Sequence, residues 1–489
     1  LNLLLSLLNA GNTADGPLPA FRPPPNYIAF IATLAVHPTL TTRARSPKQI
    51  EESNLALRYL RLFLKVVGPV NGKLDEAFVF SRLGTSSRRG GSGRRRVPIE
   101  DSSPTGIADD GIENDLARGG AIWAQAEDIW QVVGWAFNCS AVHKKRWARW
   151  RVWVEHMVDV FEQDWETRGL LLDEQTRLDE EDDDDPREAS MIVKSLSADG
   201  TTTGRERKIV RAIFADGSSR SAAEFPEIWK NETKERKTDE EPIKMASKID
   251  IEADNYGDYL DDDADSDFEE SDPDHSGALS KTPHKLSSLP PKPTDLSAPL
   301  GGTAAINLRL RFLSLLSAVA TTMPWLFTTI GGLYDSYLEH IRPLPIPTFF
   351  MLISPSSLRL LSPSAASSLT QYILRSLITT AAPLPAGDDL TQEAIETSYL
   401  PFTANTSSVA DNTKVSLCVE TLLRLLDHHV GLAWTPTLQD ALDRGIAARD
   451  AKATKVSKKR GHDASPADER IWLRASADRM KILVLAAKV

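Results

Sequence analysis

Five cations crowd one short stretch with large aromatic rings between them. Lys144, Lys145, Arg146, Arg149 and Arg151 alternate with Trp147, Trp150 and Trp153 in "KKRWARWRVW". Rings that stack on bases, beside Lys and Arg that meet phosphates, are the chemistry by which single-stranded nucleic acid is held. A tryptophan-heavy helical core with a solvated basic turn leaves the same pattern. Between Trp123 and Trp165 the chain places seven of its eleven tryptophans. Most sit at seam spacing: Trp147, Trp150, Val154, Met157 and Phe161 follow alternating steps of three and four. A ring that fills a core cannot also stack on a base, so packing is the stronger reading. Trp153 and Trp165 fall off the seam and are expected at the surface.

Two helices must position these residues. The first is expected over about 121–137 and the second over about 143–165, with "NCSAV" as the turn of an αα-hairpin. On the first, Trp123, Trp130 and Phe137 recur at every seventh residue. The second begins with the cations and ends with Glu155, Asp159, Glu162, Asp164 and Glu166. That order opposes the helix macrodipole, at a cost of roughly 0.3–1 kcal/mol per contact. Within it Arg151 is expected to pair with Glu155, and Arg149 to lie over Trp153. The inverted charge order, more than the tryptophan count, marks where a partner is to be sought.

Other chemistry-bearing motifs are weak. "GPVNGKL", Gly68–Leu74, has one residue too few between its glycines for a phosphate loop, lacks Ser or Thr after Lys73, and follows a helical pattern. The nine histidines are scattered, without an HExxH pattern or a pair four apart. Two cysteines, Cys139 and Cys418, are too few for a disulfide framework or a cysteine-based zinc site. There is no GxSxG elbow. No cofactor, metal or catalytic residue is expected.

The formal charge of −11 is not evenly spread. Residues 173–187 carry nine acids and two arginines, and residues 250–274 carry thirteen acids and no Lys or Arg, which leaves the remainder of the chain at +9. Such blocks read as interaction segments rather than a uniformly acidic surface. Tyr256, Tyr259 and Phe268 lie among the acids of the second block, a composition suited to basic partners such as histones. Ser266, Ser271 and Thr282 stand in contexts for phosphorylation, which would deepen the negative charge. Two basic runs resemble nuclear localisation signals: Arg88, Arg89, Arg94, Arg95 and Arg96, and Lys455, Lys458, Lys459 and Arg460. The chain begins at Leu1, so a preceding segment is expected.

The periodicity is helical throughout the apolar regions. In "SPKQIEESNLALRYLRLFLKVVGP", Ser46 caps, Pro47 opens, Gln49 completes a capping box, and Ile50, Leu57, Leu60, Leu64 and Val67 share a face. Ala56 and Phe63 widen it. In "KVSLCVETLLRLLDHH", Val415, Cys418, Leu422, Leu425 and His429 share another. Phe312–Tyr334 is uncharged and long enough to span a bilayer, but its Thr, Gly and central Pro324 read as two soluble helices broken at "TTMP". The fold class expected is all-α: an irregular helical bundle or α-solenoid-like helix pairs, interrupted by long disordered acidic linkers. Its expected parts are a helical segment 1–83, a Gly/Ser/Arg-rich linker 84–117, the Trp-rich hairpin 118–172, an acidic and Pro/Ser-rich insert 173–302 with an ordered island near 206–237, and a C-terminal helical domain 303–489. The island fits either a helix or a small hairpin.

The function expected from these features is that of a nuclear, non-enzymatic scaffold or adaptor for protein–protein interactions, in a chromatin-associated complex. The alternatives are nucleic-acid or chromatin binding through the basic hairpin and the Arg-rich linker, and a cytoplasmic address. No membrane or metal partner is expected. The long polar inserts suggest a eukaryotic source.

Overall fold

The computed structural model describes residues 1–10, 20–80, 112–178, 185–197, 202–234, 300–387, 389–454 and 466–488. In chain order the helices are α1 (Asn2–Ala10), α2 (Pro25–Val36), α3 (Pro47–Val67), α4 (Leu74–Ala77), α5 (Ile122–Gln125), α6 (Ile129–Val142), α7 (Lys144–Arg177), α8 (Met191–Ser197), α9 (Thr202–Ile213) and α10 (Ser219–Glu224). Then follow α11 (Thr303–Thr322), α12 (Ile330–Ile341), α13 (Ile346–Ile353), α14 (Pro355–Leu358), α15 (Pro363–Leu377) and α16 (Gln392–Ala394), which runs into a π turn (Ile395–Tyr399). The last three are α17 (Val409–His429), α18 (Pro436–Lys452) and α19 (Pro466–Ala486). The fold is all-α. Among the described residues there is no strand, and an isolated bridge joins Ile378 to Ala404.

Helix α3 starts as its sequence dictates. The Gln49 side chain accepts from the backbone of Arg45 and Ser46, at 2.6 and 3.3 Å, and Gly68 closes the helix at φ +79°. Its Ala56, Leu57, Leu60, Phe63 and Leu64 are buried against α2, where the Ser53 hydroxyl also donates to the Ala35 carbonyl at 2.8 Å.

The Trp-rich unit differs from the expected hairpin in three ways. A break at residues 126–128 separates α5 from α6, because the Asp128 carboxylate caps α6 by accepting from Gln131 N at 2.8 Å. At the other end "NCSAV" is helical, and His143 alone separates α6 from α7. Asn138 is a turn former whose side chain is occupied elsewhere. Its amide donates to the Phe225 carbonyl (3.2 Å) and accepts from Gly217 N (2.9 Å) and the Ser221 hydroxyl (2.6 Å). With those bonds made to another segment, the α6 backbone has no competing local partner. Helix α7 continues past Trp165 to Arg177.

The island is helical, as α9 and α10, and it belongs to the core. Ile209, Val210, Ile213, Phe225, Ile228 and Trp229 are buried. At Gly134 the Phe225 ring sits so close to α6 that a Cβ would lie 2.4 Å from it. Ordered structure within the acidic insert also reaches beyond the island: α8 buries Met191, Ile192, Val193 and Leu196.

One contiguous apolar core runs from Leu8 to Val484. The two halves of the chain meet where α11 lies on α7: Phe312 touches Trp130 and Phe137, at 5.8 and 6.3 Å between centroids, and Arg311 pairs with Asp159 and Glu162. Helix α11 is apolar enough to cross a membrane by composition, with a mean hydropathy of 1.3, yet 67% of that window is covered by protein. Helix α17 is buried all round from Asn412 to Leu423, with α13, α15, α18 and α19 against it. Of its expected face, Val415, Cys418, Leu422 and Leu425 are buried, and His429 is exposed.

Between α3 and α7 lies His156, 1% exposed, with no protein hydrogen-bond partner for either ring nitrogen. Burial, and secondarily the Arg61 charge, lower its pKa from 6.5 to about 3. The folded protein therefore holds it neutral, while the unfolded chain protonates it near its ordinary value. The sign follows: this contribution is complete above pH 6.5 and is lost as pH falls from there toward 3. Replacing His156 with Met should flatten the pH dependence of unfolding free energy between pH 6.5 and 5, by roughly 2 kcal/mol. Urea denaturation of both proteins across that range measures it; identical slopes would refute the neutral buried imidazole.

Candidate functional site

Of the five cations, two are turned inward. Arg146, in the first turn of α7, is 2% exposed. Its Nε donates to Glu232 Oε2 at 2.9 Å, its Nη2 lies 2.7 Å from the same oxygen, and its Nη1 donates to the Thr41 hydroxyl at 3.1 Å. The guanidinium lies 4.9 Å from the Trp150 ring and 5.7 Å from Trp229, and these two rings stack on each other. Burial raises the Glu232 carboxyl pKa, and Arg146 opposes that rise. Arg149 is also buried; its Nη1 donates to Asn54 Oδ1 of α3 at 2.5 Å, and burial lowers its pKa to about 10, with the Arg146 charge adding to the effect. Lys144 and Lys145 are exposed and Arg151 is half-buried.

Arg146 and Arg149 are thus corrected from the expected basic surface to the interior, while Lys144 and Lys145 remain at the surface. The cations stand at the wrong end of α7 because their partners lie on other segments, 86 residues away for Glu232 and 95 for Asn54. A buried charge pair outweighs a surface dipole contact. Glu155 bonds Arg61 of α3 at 3.0 Å, and Arg149 reaches Asn54. Trp153 is 1% exposed, with its indole N–H donating to the Ala32 carbonyl, whereas Trp165 is half-buried with Arg187 over it. The basic runs at 88–96 and 455–460, and Ser266, Ser271 and Thr282, lie outside the described residues.

Sequence reasoning missed another buried guanidinium. Arg309 of α11 is 0% exposed. Its Nη1 donates to the Ile213 carbonyl. Its Nη2 lies 2.8 Å from the Ala215 carbonyl, 3.1 Å from the Leu300 carbonyl and 3.4 Å from the Ser140 hydroxyl. The Phe137 ring lies 4.0 Å away, and burial lowers the pKa to about 9. Gly301, at φ +82°, permits this approach, since a Cβ there would sit 2.5 Å from the Ser140 hydroxyl. The two arginines therefore hold at one corner the described residues that flank the 235–299 stretch. Glu232 precedes it and Leu300 follows it, and both are tied to the junction of α6 and α7. No sequence signal marks Arg309, because its acceptors are backbone carbonyls.

"GPVNGKL" forms the turn between α3 and α4, and Lys73 pairs there with Glu76 at 2.6 Å. Cys139 and Cys418 are buried, and burial raises both thiol pKa values. Among the described residues no group of three His, Cys, Asp or Glu is placed to hold a metal ion.

A cavity of about 600 Å³ opens between α4, α5, α6, α7, α8 and α9. Aromatic rings build one wall: Phe78 and Trp123 stack at 4.9 Å and 13°, and Phe80 meets Trp123 edge-on at 5.0 Å. Charges ring its mouth in pairs. Lys194 bonds Asp75 at 2.6 Å, and Lys208 bonds Glu127 and Asp128 at 3.2 and 3.0 Å.

Comparison with protein-family models, curated proteins and solved structures finds no match to this chain.

The Arg146–Glu232 pair is testable by a double-mutant cycle. Glu232→Gln or Arg146→Met alone leaves a buried partner uncompensated and should cost about 3–5 kcal/mol. The combined variant should recover much of that loss. Urea denaturation gives all four values, and strictly additive losses would contradict the coupling.

Proposed function

We propose that the chain is a nuclear, non-enzymatic helical scaffold that offers its acidic stretch, 250–274, to basic protein partners such as histones. One observation carries this reading: the segments that flank 235–299 are tied to the same corner by buried charge. Glu232 is bonded to Arg146 and Leu300 to Arg309. A helical body that ties down the residues on either side of a segment containing a strongly acidic stretch suits a protein whose partners are bound by that stretch. Thirteen acids without a Lys or Arg give it a field that attracts basic surfaces. The inward turn of Arg146 and Arg149 further supports the scaffold reading over a nucleic-acid grip, since it leaves fewer cations of the hairpin facing solvent. The nuclear address rests on the runs at 88–96 and 455–460.

The test is tagged full-length chain in eukaryotic cells, imaged and then purified at moderate salt. Basic nuclear proteins, histones among them, should be recovered with it and lost when 250–274 is replaced by neutral residues of equal number. Deleting both basic runs should move the chain to the cytoplasm. Recovery of the same partners without the acids, or of none with them, would contradict the scaffold reading. Nuclear retention without the basic runs would contradict the address.

A further inference from the structure

We propose that the cavity bounded by α4 to α9 binds a neutral aromatic small molecule. Its volume of about 600 Å³ falls within the range of about 300–1,000 Å³ that small-molecule sites occupy. Phe78 and Trp123 are buried and stacked on each other, and half-buried Phe80, the least covered ring of the three, stands across Trp123 at 67°. These are the two geometries in which a further ring packs against aromatic side chains. Met157 and Met191 line the cavity as well, and their flexible thioethers adapt to the outline of an apolar guest.

The polar groups decide the charge of the ligand. The Trp130 indole N–H donates to the Ser195 carbonyl at 3.2 Å, and the Trp123 indole N–H donates to the Ala29 carbonyl at 2.9 Å. The Ser195 hydroxyl donates to the Ile192 carbonyl at 2.6 Å. At the mouth Lys194 is bonded to Asp75, and Lys208 to Glu127 and Asp128. Arg205 lines the cavity too, with its Nη2 donating to the Ser195 carbonyl at 2.7 Å. An ionised ligand would be desolvated against apolar walls and would have to compete with the contacts these groups already make. A neutral ring system replaces water on aromatic surface without disturbing any of them. The proposal is independent of the scaffold reading and adds a ligand-responsive site to the body that carries the acidic stretch.

N-Phenyl-1-naphthylamine, a neutral fluorophore, is the probe. With Trp123 and Trp130 in the wall, binding reads out as energy transfer from tryptophan and as a rise in melting temperature. The full chain should bind it saturably at one site. Its sulfonated analogue, 8-anilinonaphthalene-1-sulfonate, should bind at least tenfold more weakly. Ser195→Trp, at a half-buried position on the wall, should weaken binding of the neutral probe at least tenfold. If that variant does not fold, Phe80→Ala takes its place and should weaken binding several-fold. Absence of saturable binding, equal affinity for the sulfonate, or affinity unchanged in the folded wall variant would each overturn the proposal.

Discussion

A guanidinium cannot be left bare inside a protein, and two of them fix how this chain folds. Arg146 and Arg309 both come to lie at the junction of α6 and α7, and each gathers its acceptors from distant sequence. Arg146 takes a carboxylate and a hydroxyl. Arg309 takes backbone carbonyls from the end of α9 and from the residue that starts the C-terminal half. Meeting those demands draws the 202–234 island, the N-terminal helices and α11 onto one pair of helices. Around that junction the tryptophans supply apolar area, and Trp150 and Trp229 lie beside the Arg146 charge. Aromatic faces are the apolar surfaces that tolerate a cation best.

What the sequence could reveal follows the range of the interactions. The α3 capping box needs partners three and four residues away, and it forms as its residues imply. The seam of α7 needs only its own spacing, and Trp147, Trp150, Val154, Met157 and Phe161 are buried. Trp153 is different. Its position off the seam suggested exposure, but α2 lies against that side and receives its indole N–H at Ala32. Asn138 and Ser140 read as turn residues because their usual partners are local, and here Asn138 bonds Gly217, Ser221 and Phe225 instead. The cations of the hairpin were legible as a cluster but not as an interior, because Thr41, Asn54 and Glu232 carry no mark that assigns them to Arg146 and Arg149. The 600 Å³ cavity was illegible for the same reason: its walls come from five separated stretches of chain.

The architecture joins two properties in one body. Long-range contacts of Arg146 and Arg309 tie Glu232 and Leu300, on either side of residues 235–299, to the core, while the aromatic cavity sits on the side built by the short helices α4, α5 and α8. Both depend on segments whose composition resembles linker, which is why the polar regions of this sequence cannot be set aside as spacers. Met191–Ser197, close to the acidic block, is a core helix.

The central claim is that Arg309 holds two remote segments together. Hydrogen–deuterium exchange on the native chain and on Arg309→Met tests it directly. Amides near 213–217 and near 300–306 should lose protection together in the variant, while α17 and α19 exchange as in the native protein. Loss confined to one of the two segments, or unchanged protection at both, would contradict it.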